Sequence, residues 1–144
     1  SVEGLEVLDL FAGSGSLGIE ALSMGAKFAT FIDKSPASIN SIKDNLRKCD
    51  FVNQSSVINQ EFGIATRMLI KNKKKYDLIF ADPPYSYFDD KTLNGIIRTA
   101  LKLLSPGGVI ICEHPKEEKI ILDVENRVKE YKDKFITFCW QNEK

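Results

Sequence analysis

Two kinds of segment alternate along the chain in its pattern of hydrophobic and polar positions. Short runs of β-branched and aromatic residues predict buried strands, and the segments between them, whose apolar residues recur every three or four positions, predict amphipathic helices. This alternation is typical of β-α-β units with a parallel sheet. The predicted strands are Glu6–Phe11, Phe28–Asp33, Ser55–Asn59, Tyr76–Ala81 and Val109–Glu113; the predicted helices cover 16–25, 64–71 and 92–104, with another that begins at Pro36 after the N-cap Ser35.

The end of the chain has a different pattern. The segments "RVKEY" and "FITFCW" flank "KDK", and apolar residues alternate along the second segment. A period of two predicts an antiparallel hairpin at the edge of the sheet. We therefore predict one α/β domain over residues 1–144, with a doubly wound, mostly parallel Rossmann-like sheet and a C-terminal antiparallel hairpin.

The net charge is zero, because 20 Lys and Arg residues balance 20 Asp and Glu residues. No global field therefore recruits an anionic polymer, and a contact with nucleic acid has to use a local patch. The segment "KNKKK", residues 71–75, is the candidate patch, with a solvated helix end as the alternative.

Cysteine and histidine usage argues against a metal site. Cys49, Cys112 and Cys139 lie far apart and His114 is the only histidine, so we expect no metal and reduced thiols in a cytoplasmic protein. No apolar run approaches the roughly 20 residues that cross a bilayer, so no membrane span is predicted. The opening "SVEGLEVLDLF" has no initiator Met and enters a strand almost at once, which suggests a piece of a longer protein.

The segment "DLFAGSGSLG" contains the first candidate site. Gly13, Gly15 and Gly18 form a G-x-G-x-x-G array directly after a predicted strand and at the start of a predicted helix. Glycines allow a tight turn and let a ligand lie against bare backbone, near the exposed amides of the helix N-terminus. The array predicts a site for a nucleotide-like cofactor, with a glycine-rich turn that binds nothing as the alternative.

Two aspartates narrow the choice of cofactor. Asp9 precedes Gly13 by four residues, where a carboxylate would repel a diphosphate but would suit the ammonium group of S-adenosylmethionine; the alternative is an acid that caps local amides. Asp33, at the end of the second predicted strand, stands where an acid accepts hydrogen bonds from ribose hydroxyls. Glu61 is a candidate acceptor for the adenine amino group and Phe62 a candidate apolar neighbour, although a surface Glu and a core Phe explain the same letters.

The segment "YDLIFADPPY" contains a second candidate site. Pro83 and Pro84 hold the backbone rigid and have no amide hydrogens, so a carbonyl oxygen beside the Asp82 carboxylate makes two convergent acceptors. Two acceptors suit the exocyclic amino group of a base, on which Tyr85 would stack. If the first and fourth strands are neighbours, this site lies beside the glycine loop. The alternative is a turn that merely ends a strand.

Four segments together resemble a known family. The stretches "VLDLFAGSGSLGIEAL", "FIDKSPASINSIKDNL", "YDLIFADPPY" and "LLSPGGVIICE" are similar to class I S-adenosylmethionine-dependent methyltransferases, and within that group to the bacterial RsmD-type 16S rRNA guanine-N2 methyltransferases. The resemblance covers nearly the whole chain and is clear as far as Glu113. It implies a monomeric enzyme with S-adenosylmethionine as cofactor, and ribosomal RNA, free or within an assembling small subunit, as partner.

The resemblance also implies roles for individual residues. Family members usually carry a basic N-terminal segment that this chain lacks, and a small residue in the turn where this chain has "YKDKF". The target could instead be adenine in DNA or a protein glutamine, or the chain could bind a nucleotide without transfer chemistry. The implied cofactor contacts are Asp9, Phe11, Gly13, Gly15, Asp33, Glu61 and Phe62, to which the glycine array adds Gly18, and the residues that would recognise the target amine are Asp82, Pro83 and Tyr85.

Overall fold

The computed structural model describes residues 1–84, 90–114, 124–132 and 134–141. Within these ranges, one sheet of 7 strands is covered by helices on both faces. The strands are β1 (Glu6–Asp9), β2 (Phe28–Asp33), β3 (Ser55–Asn59), β4 (Tyr76–Ala81), β5 (Leu104–His114), β6 (Glu125–Tyr131) and β7 (Lys134–Trp140), and the helices are α1 (Ser16–Ser23), α2 (Pro36–Lys48), α3 (Phe62–Lys71) and α4 (Asp90–Leu101), with a short 3-10 helix at Val52–Gln54.

The strands lie in the order β3-β2-β1-β4-β5-β7-β6. Strands β1 to β5 pair in parallel, whereas β7 runs antiparallel to both β5 and β6. The chain leaves β1 towards β2 and β3 on one side, and then crosses over to β4 on the other side. A crevice forms at such a reversal, beyond the carboxyl ends of the strands. The doubly wound, mostly parallel sheet and its C-terminal antiparallel hairpin are confirmed.

Two apolar clusters cover the faces of the sheet. One cluster joins α1 and α2 to β2, and the other joins α3 and α4 to β4 and β5. The helical spacing of apolar residues produces this arrangement, because Ile39, Ile42 and Leu46 of α2 all turn towards the sheet and are buried. Ser35 caps α2 as predicted: its hydroxyl accepts a 3.3 Å hydrogen bond from the amide of Ser38.

Several predicted boundaries were wrong. β1 ends at Asp9 and not at Phe11, and α3 begins at Phe62 because Glu61 caps it. α4 covers Asp90–Leu101 and not 92–104, because Leu104 already pairs with Tyr76 in the sheet.

The segment "SPGG", residues 105–108, precedes the predicted fifth strand at Val109 but lies inside β5 as a bulge. The register with β4 jumps from Tyr76↔Leu104 to Leu78↔Val109. Gly107 has a φ of 80°, and a Cβ added at Gly108 would lie 2.9 Å from the carbonyl oxygen of Asp77. The glycines are therefore needed because the bulge packs closely against β4.

Candidate active site

A cavity of about 1150 Å³ opens at the reversal in strand order. Its walls come from the segments after β1, β2, β3 and β4, with contributions from α4 and the end of β5. Seven of the predicted site residues line it, which places the two predicted sites in one space. These residues are Phe11, Gly13, Asp33, Glu61, Phe62, Asp82 and Pro83.

The glycine loop between β1 and α1 forms one wall. Gly13 and Gly15 have φ angles of 57° and 82°, a region that favours glycine. A Cβ added at Gly13 would meet nothing within 4 Å, so the backbone borders open space there. Ser16 and Leu17, in the first turn of α1, also line the cavity, and amides in a first turn have no acceptor within their own helix. An anionic group can therefore bind at this end of α1.

Gly18 allows close packing between a helix and a strand. A Cβ at this position would lie 2.4 Å from the ring of Phe31, so the missing side chain lets α1 pack closely against β2. Gly15 is also close to the core, because its added Cβ would lie 3.2 Å from Ile42. Neither glycine lines the cavity, and a cofactor contact at either one stays a prediction.

Asp9 is a buried carboxylate at the end of β1. Only 1% of the residue is exposed, and neither carboxylate oxygen has a hydrogen-bond partner among the described residues. Burial raises the pKa of Asp9 from 3.8 to about 7; the nearby backbone amide of Phe11, which does not reach hydrogen-bond geometry, opposes this shift, and the negative charges of Asp82 and Asp33 add to it. An unsatisfied buried carboxylate is costly, and the ammonium group of a ligand could satisfy it. Asp9 does not itself line the cavity, but the next residue, Leu10, does.

Asp33 connects the glycine loop to α2. One carboxylate oxygen accepts a 2.8 Å hydrogen bond from the amide of Gly13, and the other accepts one of 2.8 Å from the amide of Ser35. A carboxylate offers about four lone-pair sites, so two remain for ribose hydroxyls. The sequence predicted that Asp33 binds ribose, but it did not predict the hydrogen bond from the amide of Gly13 that ties the glycine loop to Asp33.

Aromatic and acidic side chains form the wall after β3. The rings of Phe11 and Phe62 stack, with centroids 5.2 Å apart and an interplanar angle of 11°. The Glu61 carboxylate caps α3, with Oε1 accepting a 2.7 Å hydrogen bond from the amide of Ile64. The amides of Gly63 and Ile64 lower the pKa of Glu61. A bond from Glu61 to an adenine amino group therefore has to share a carboxylate already engaged in capping.

Asp82 and Pro83 follow β4 and line the cavity. Burial raises the pKa of Asp82, as does the negative charge of Glu113, whereas Lys134 lowers it. Pro83 is buried and Pro84 is exposed. Tyr85, the third residue predicted to recognise the target amine, lies outside the described residues.

Glu113 is a cavity residue that the sequence analysis missed. It follows Cys112, which pairs with Ala81, so it stands beside Asp82 at the ends of two neighbouring strands. Its Oε1 lies 2.9 Å from Nζ of Lys134, at the start of β7. The sequence predicted that the fifth strand ends at Glu113. It did not predict that Glu113 lies next to Asp82, because that depends on β5 being the neighbour of β4.

Other expected features are placed as follows. The described residues contain no group of three His, Cys, Asp or Glu side chains that could hold a metal ion. No helix in the described ranges is long and apolar enough to cross a membrane. The lysine-rich segment 71–75 follows the end of α3, and the Lys75 ammonium donates a 2.8 Å hydrogen bond to the carbonyl oxygen of Lys102.

The fold is that of Rossmann-like S-adenosylmethionine-dependent methyltransferases. A candidate methyltransferase solved in complex with SAH superposes on 97% of this chain and 46% of its own, with a TM-score of 0.76. The sequence identity is 19%, so this likeness shows the fold alone.

The chain belongs to the family described as Conserved hypothetical protein 95, whose model matches residues 1–139. It is 35% identical over 118 residues to YlbH of Bacillus subtilis, which is named as a candidate rRNA methyltransferase; the match covers 82% of this chain and 64% of YlbH. It is 36% identical over 124 residues to the ribosomal RNA small subunit methyltransferase D of Haemophilus influenzae, covering 81% of this chain and 60% of that protein. The resemblance to RsmD-type proteins is confirmed, and the chain spans less than two thirds of the length of these relatives.

Proposed function

We propose that this chain is the catalytic domain of an enzyme that transfers a methyl group from S-adenosylmethionine to the exocyclic N2 amino group of guanine in 16S ribosomal RNA. One observation carries the proposal: Asp82 and Pro83, the candidate acceptors for an amine, line the same cavity as Gly13 and Asp33. The names of the two relatives, both rRNA methyltransferases, support ribosomal RNA as the substrate. We place the enzyme in the cytoplasm as a monomer, acting on free RNA or on an assembling small subunit.

The cavity suits S-adenosylmethionine. Asp9 is a buried carboxylate without a partner in the described structure, and it would pair with the amino acid ammonium of the cofactor. The first amides of α1 would bind the carboxylate of the cofactor, and Asp33 its ribose. The stacked rings of Phe11 and Phe62 provide an apolar wall for adenine, with Glu61 at its edge.

Asp82 would activate the target base. The lone pair of a base amino group is delocalised into the ring, and hydrogen bonds from both of its protons to acceptors favour a pyramidal nitrogen. The Asp82 carboxylate and a proline carbonyl oxygen would accept these bonds. When bound, the cofactor would supply the methyl group: the nitrogen lone pair forms the new bond as the bond from methyl to sulfur breaks, and one of the two N2 protons then passes to the Asp82 carboxylate. The charge that grows on the nitrogen strengthens its interaction with Asp82, so this contact is worth more in the transition state than in the ground state.

The cofactor can be tested separately from the substrate. We expect S-adenosylhomocysteine (SAH), the cofactor without its methyl group, to bind in calorimetry. At a hundredfold excess over Kd it should raise the free energy of unfolding by about 2.7 kcal/mol. NAD serves as the comparison, because a diphosphate would be repelled by Asp9. Tighter binding of NAD than of SAH would contradict the role given to Asp9.

The transfer reaction is tested with transcribed, unmodified 16S rRNA and S-adenosylmethionine labelled in its methyl group. We expect label in N2-methylguanosine, identified by mass spectrometry of the digested RNA. Asp82→Ala should reduce the single-turnover rate by about 10²–10³ while SAH still binds within a few-fold. The matched control, Asp44→Ala, removes an exposed carboxylate from helix α2 and should keep the parental rate. Label in an adenosine, with none in guanosine, would show that guanine N2 is not the target.

Tyr85 is tested in the same assay, through its proposed stacking on the target base. Tyr85→Ala should slow transfer, because stacking on an aromatic ring is worth about 1–3 kcal/mol per base. Tyr85→Phe keeps the ring and should retain the rate. Equal losses for the two variants would assign the effect to the hydroxyl group and contradict stacking.

A further inference from the structure

Two carboxylates, Asp82 and Glu113, stand at the edge of the cavity, and the ammonium of Lys134, which is not itself a lining residue, lies beside the second one on the next strand of the sheet. Asp82 and Glu113 each follow by one residue the paired positions Ala81 and Cys112 on β4 and β5, so their chain positions are adjacent across the sheet. Both residues line the cavity. Lys134, on the far side of Glu113, approaches it to 2.9 Å from the start of β7. The order along the strand ends is therefore carboxylate, carboxylate, cation.

This order matches the polar edge of one base. Guanine presents the N2 amino group, the N1 proton and the O6 oxygen in succession, which is donor, donor, acceptor. In adenine and cytosine, the ring nitrogen beside the amino group carries no proton and is an acceptor. With the amino group at Asp82, that lone pair would face the Glu113 carboxylate, and two acceptors would oppose each other. Enzymes that modify an extruded base read it through hydrogen bonds to this edge.

We infer that Glu113 and Lys134 select guanine, with Glu113 accepting a hydrogen bond from N1 and Lys134 donating one to O6. This assignment rests on the proposed function, because it takes Asp82 as the acceptor for the N2 amino group. Lys134 has a second effect, since its charge offsets the repulsion between two neighbouring carboxylates in a partly enclosed site. Neither residue has to touch the cofactor, so selection of the base is separable from cofactor binding.

A purely structural role makes a different prediction. If the ion pair only fastened β7 to β5, its loss would lower stability and would slow transfer to every base by the same factor. The side chains of Glu113 and Lys134 are 31% and 48% exposed, and a pair this exposed contributes only about 0–1 kcal/mol to stability. A change in the preference between two bases is the readout that a structural role would not produce.

The experiment replaces the target guanine by 2,6-diaminopurine in a ligated 16S rRNA, at the position that the parental protein methylates. This base keeps the 2-amino group but has an unprotonated N1 and an amino group in place of O6. Single-turnover rates are measured on both RNAs, and their ratio cancels any shared loss of RNA affinity. We expect the parent to prefer guanine by roughly tenfold to hundredfold, the range set by one good pair of hydrogen bonds to a base.

Glu113→Gln is the decisive variant. Its amide can donate to the unprotonated N1, so the preference for guanine should fall by about tenfold or more, through slower transfer to guanine and faster transfer to 2,6-diaminopurine. Lys134→Met should lower the preference in the same direction, because O6 loses its donor. Glu130→Gln and Lys129→Met change the same residue types at exposed positions of β6 and should keep the parental ratio. SAH affinity should be unchanged in all four variants.

The possible results separate this inference from the proposed function. Transfer to guanine by the parent, with the same guanine preference in Glu113→Gln, overturns the inference and leaves the proposed function standing. A uniform slowing on both RNAs likewise overturns it in favour of a structural role. An absence of transfer to guanine in the parent overturns both. A collapse of the preference in Glu113→Gln, with the β6 controls unchanged, supports the inference.

Discussion

The amide of Gly13 donates a 2.8 Å hydrogen bond to Oδ2 of Asp33, across the gap between the carboxyl ends of β1 and β2. The other oxygen of the same carboxylate accepts from the amide of Ser35, which is the N-cap of α2. One side chain therefore connects the glycine loop, the second strand and the second helix. A residue expected only to bind ribose is also part of what holds the cavity wall in place.

Asp33→Asn should weaken both the loop and the cofactor site. An amide keeps one acceptor oxygen, so one of the two backbone amides loses its partner, and an unsatisfied donor costs about 1–3 kcal/mol. We expect the free energy of unfolding to fall by an amount in that range and the affinity for SAH to fall about tenfold or more. Urea unfolding and calorimetry measure the two effects.

Asp50→Asn is the matched control for Asp33, because it neutralises an exposed aspartate with a φ of 63°, a conformation that Asn tolerates. It should change neither stability nor SAH affinity appreciably. If Asp33→Asn kept both quantities at the parental values, the carboxylate would have no part in holding the loop.

Asp9→Asn should stabilise the free protein at high pH. The pKa of Asp9 is raised from 3.8 to about 7 by burial, so the folded state holds its proton more tightly than the unfolded state. The contribution of Asp9 to the free energy of unfolding of the parent therefore falls as pH rises from about 4 to 7, and this penalty is complete above pH 7. Removal of the charge should relieve up to about 4 kcal/mol at pH 8 and almost nothing below pH 4, given about 1.4 kcal/mol per pKa unit.

The same Asp9 variant should bind SAH more weakly, because the cofactor ammonium loses its carboxylate. Urea unfolding at a series of pH values, with and without SAH, tests both effects in one set of samples. We expect the variant to be more stable than the parent without ligand, and to be stabilised less than the parent when SAH is added. This result would mean that the Asp9 carboxylate serves cofactor binding and destabilises the free protein. Equal stabilisation by SAH in the parent and the variant would remove Asp9 from the cofactor site.

Gly18→Ala should destabilise the fold by about 1–3 kcal/mol or more, because its Cβ would lie 2.4 Å from the buried ring of Phe31. Gly95→Ala is the matched control: Gly95 is also helical, but its added Cβ would meet nothing within 4 Å. The control should gain up to about 1 kcal/mol from the better helix propensity of alanine. Urea unfolding of the free proteins measures both changes, and equal stability of the two variants would contradict the packing role of Gly18.

The sequence predicted the elements around the glycine loop well because their signals are local. Apolar spacing, the N-cap at Ser35 and the glycine array all act over a few residues, so α2 and the loop after β1 are formed as expected. The boundary errors occur where contacts distant in sequence decide the structure. The predicted helix extended to Leu104, but Leu104 belongs to β5 because it pairs with Tyr76. No local sequence pattern indicates a pairing between residues so far apart in the chain.

The candidate site shows the same division. Asp33 and Asp82 were found because acids at strand ends stand out along the chain, and both line the cavity. Glu113 was missed, since its position depends on β5 being the neighbour of β4 and its charge environment on Lys134 at the start of β7. The orphaned state of Asp9 was also beyond the sequence, because burial arises from the whole sheet.

The last prediction concerns the pH dependence of methyl transfer. Burial and the charge of Glu113 raise the pKa of Asp82, and Lys134 lowers it. If transfer needs the Asp82 carboxylate as an acceptor, the single-turnover rate is lost as pH falls through a pKa above the ordinary 3.8. Lys134→Met removes the cation, so its rate profile should shift to higher pH, while Glu113→Gln removes a negative charge and should shift the profile to lower pH.

Lys129→Met, on exposed β6, is the control and should keep the parental midpoint. Rates on 16S rRNA at saturating cofactor, measured at constant ionic strength, give the midpoints. Shifts of the same sign in Lys134→Met and Glu113→Gln, or a parental profile retained in Asp82→Asn, would show that Asp82 is not the group whose ionisation controls transfer.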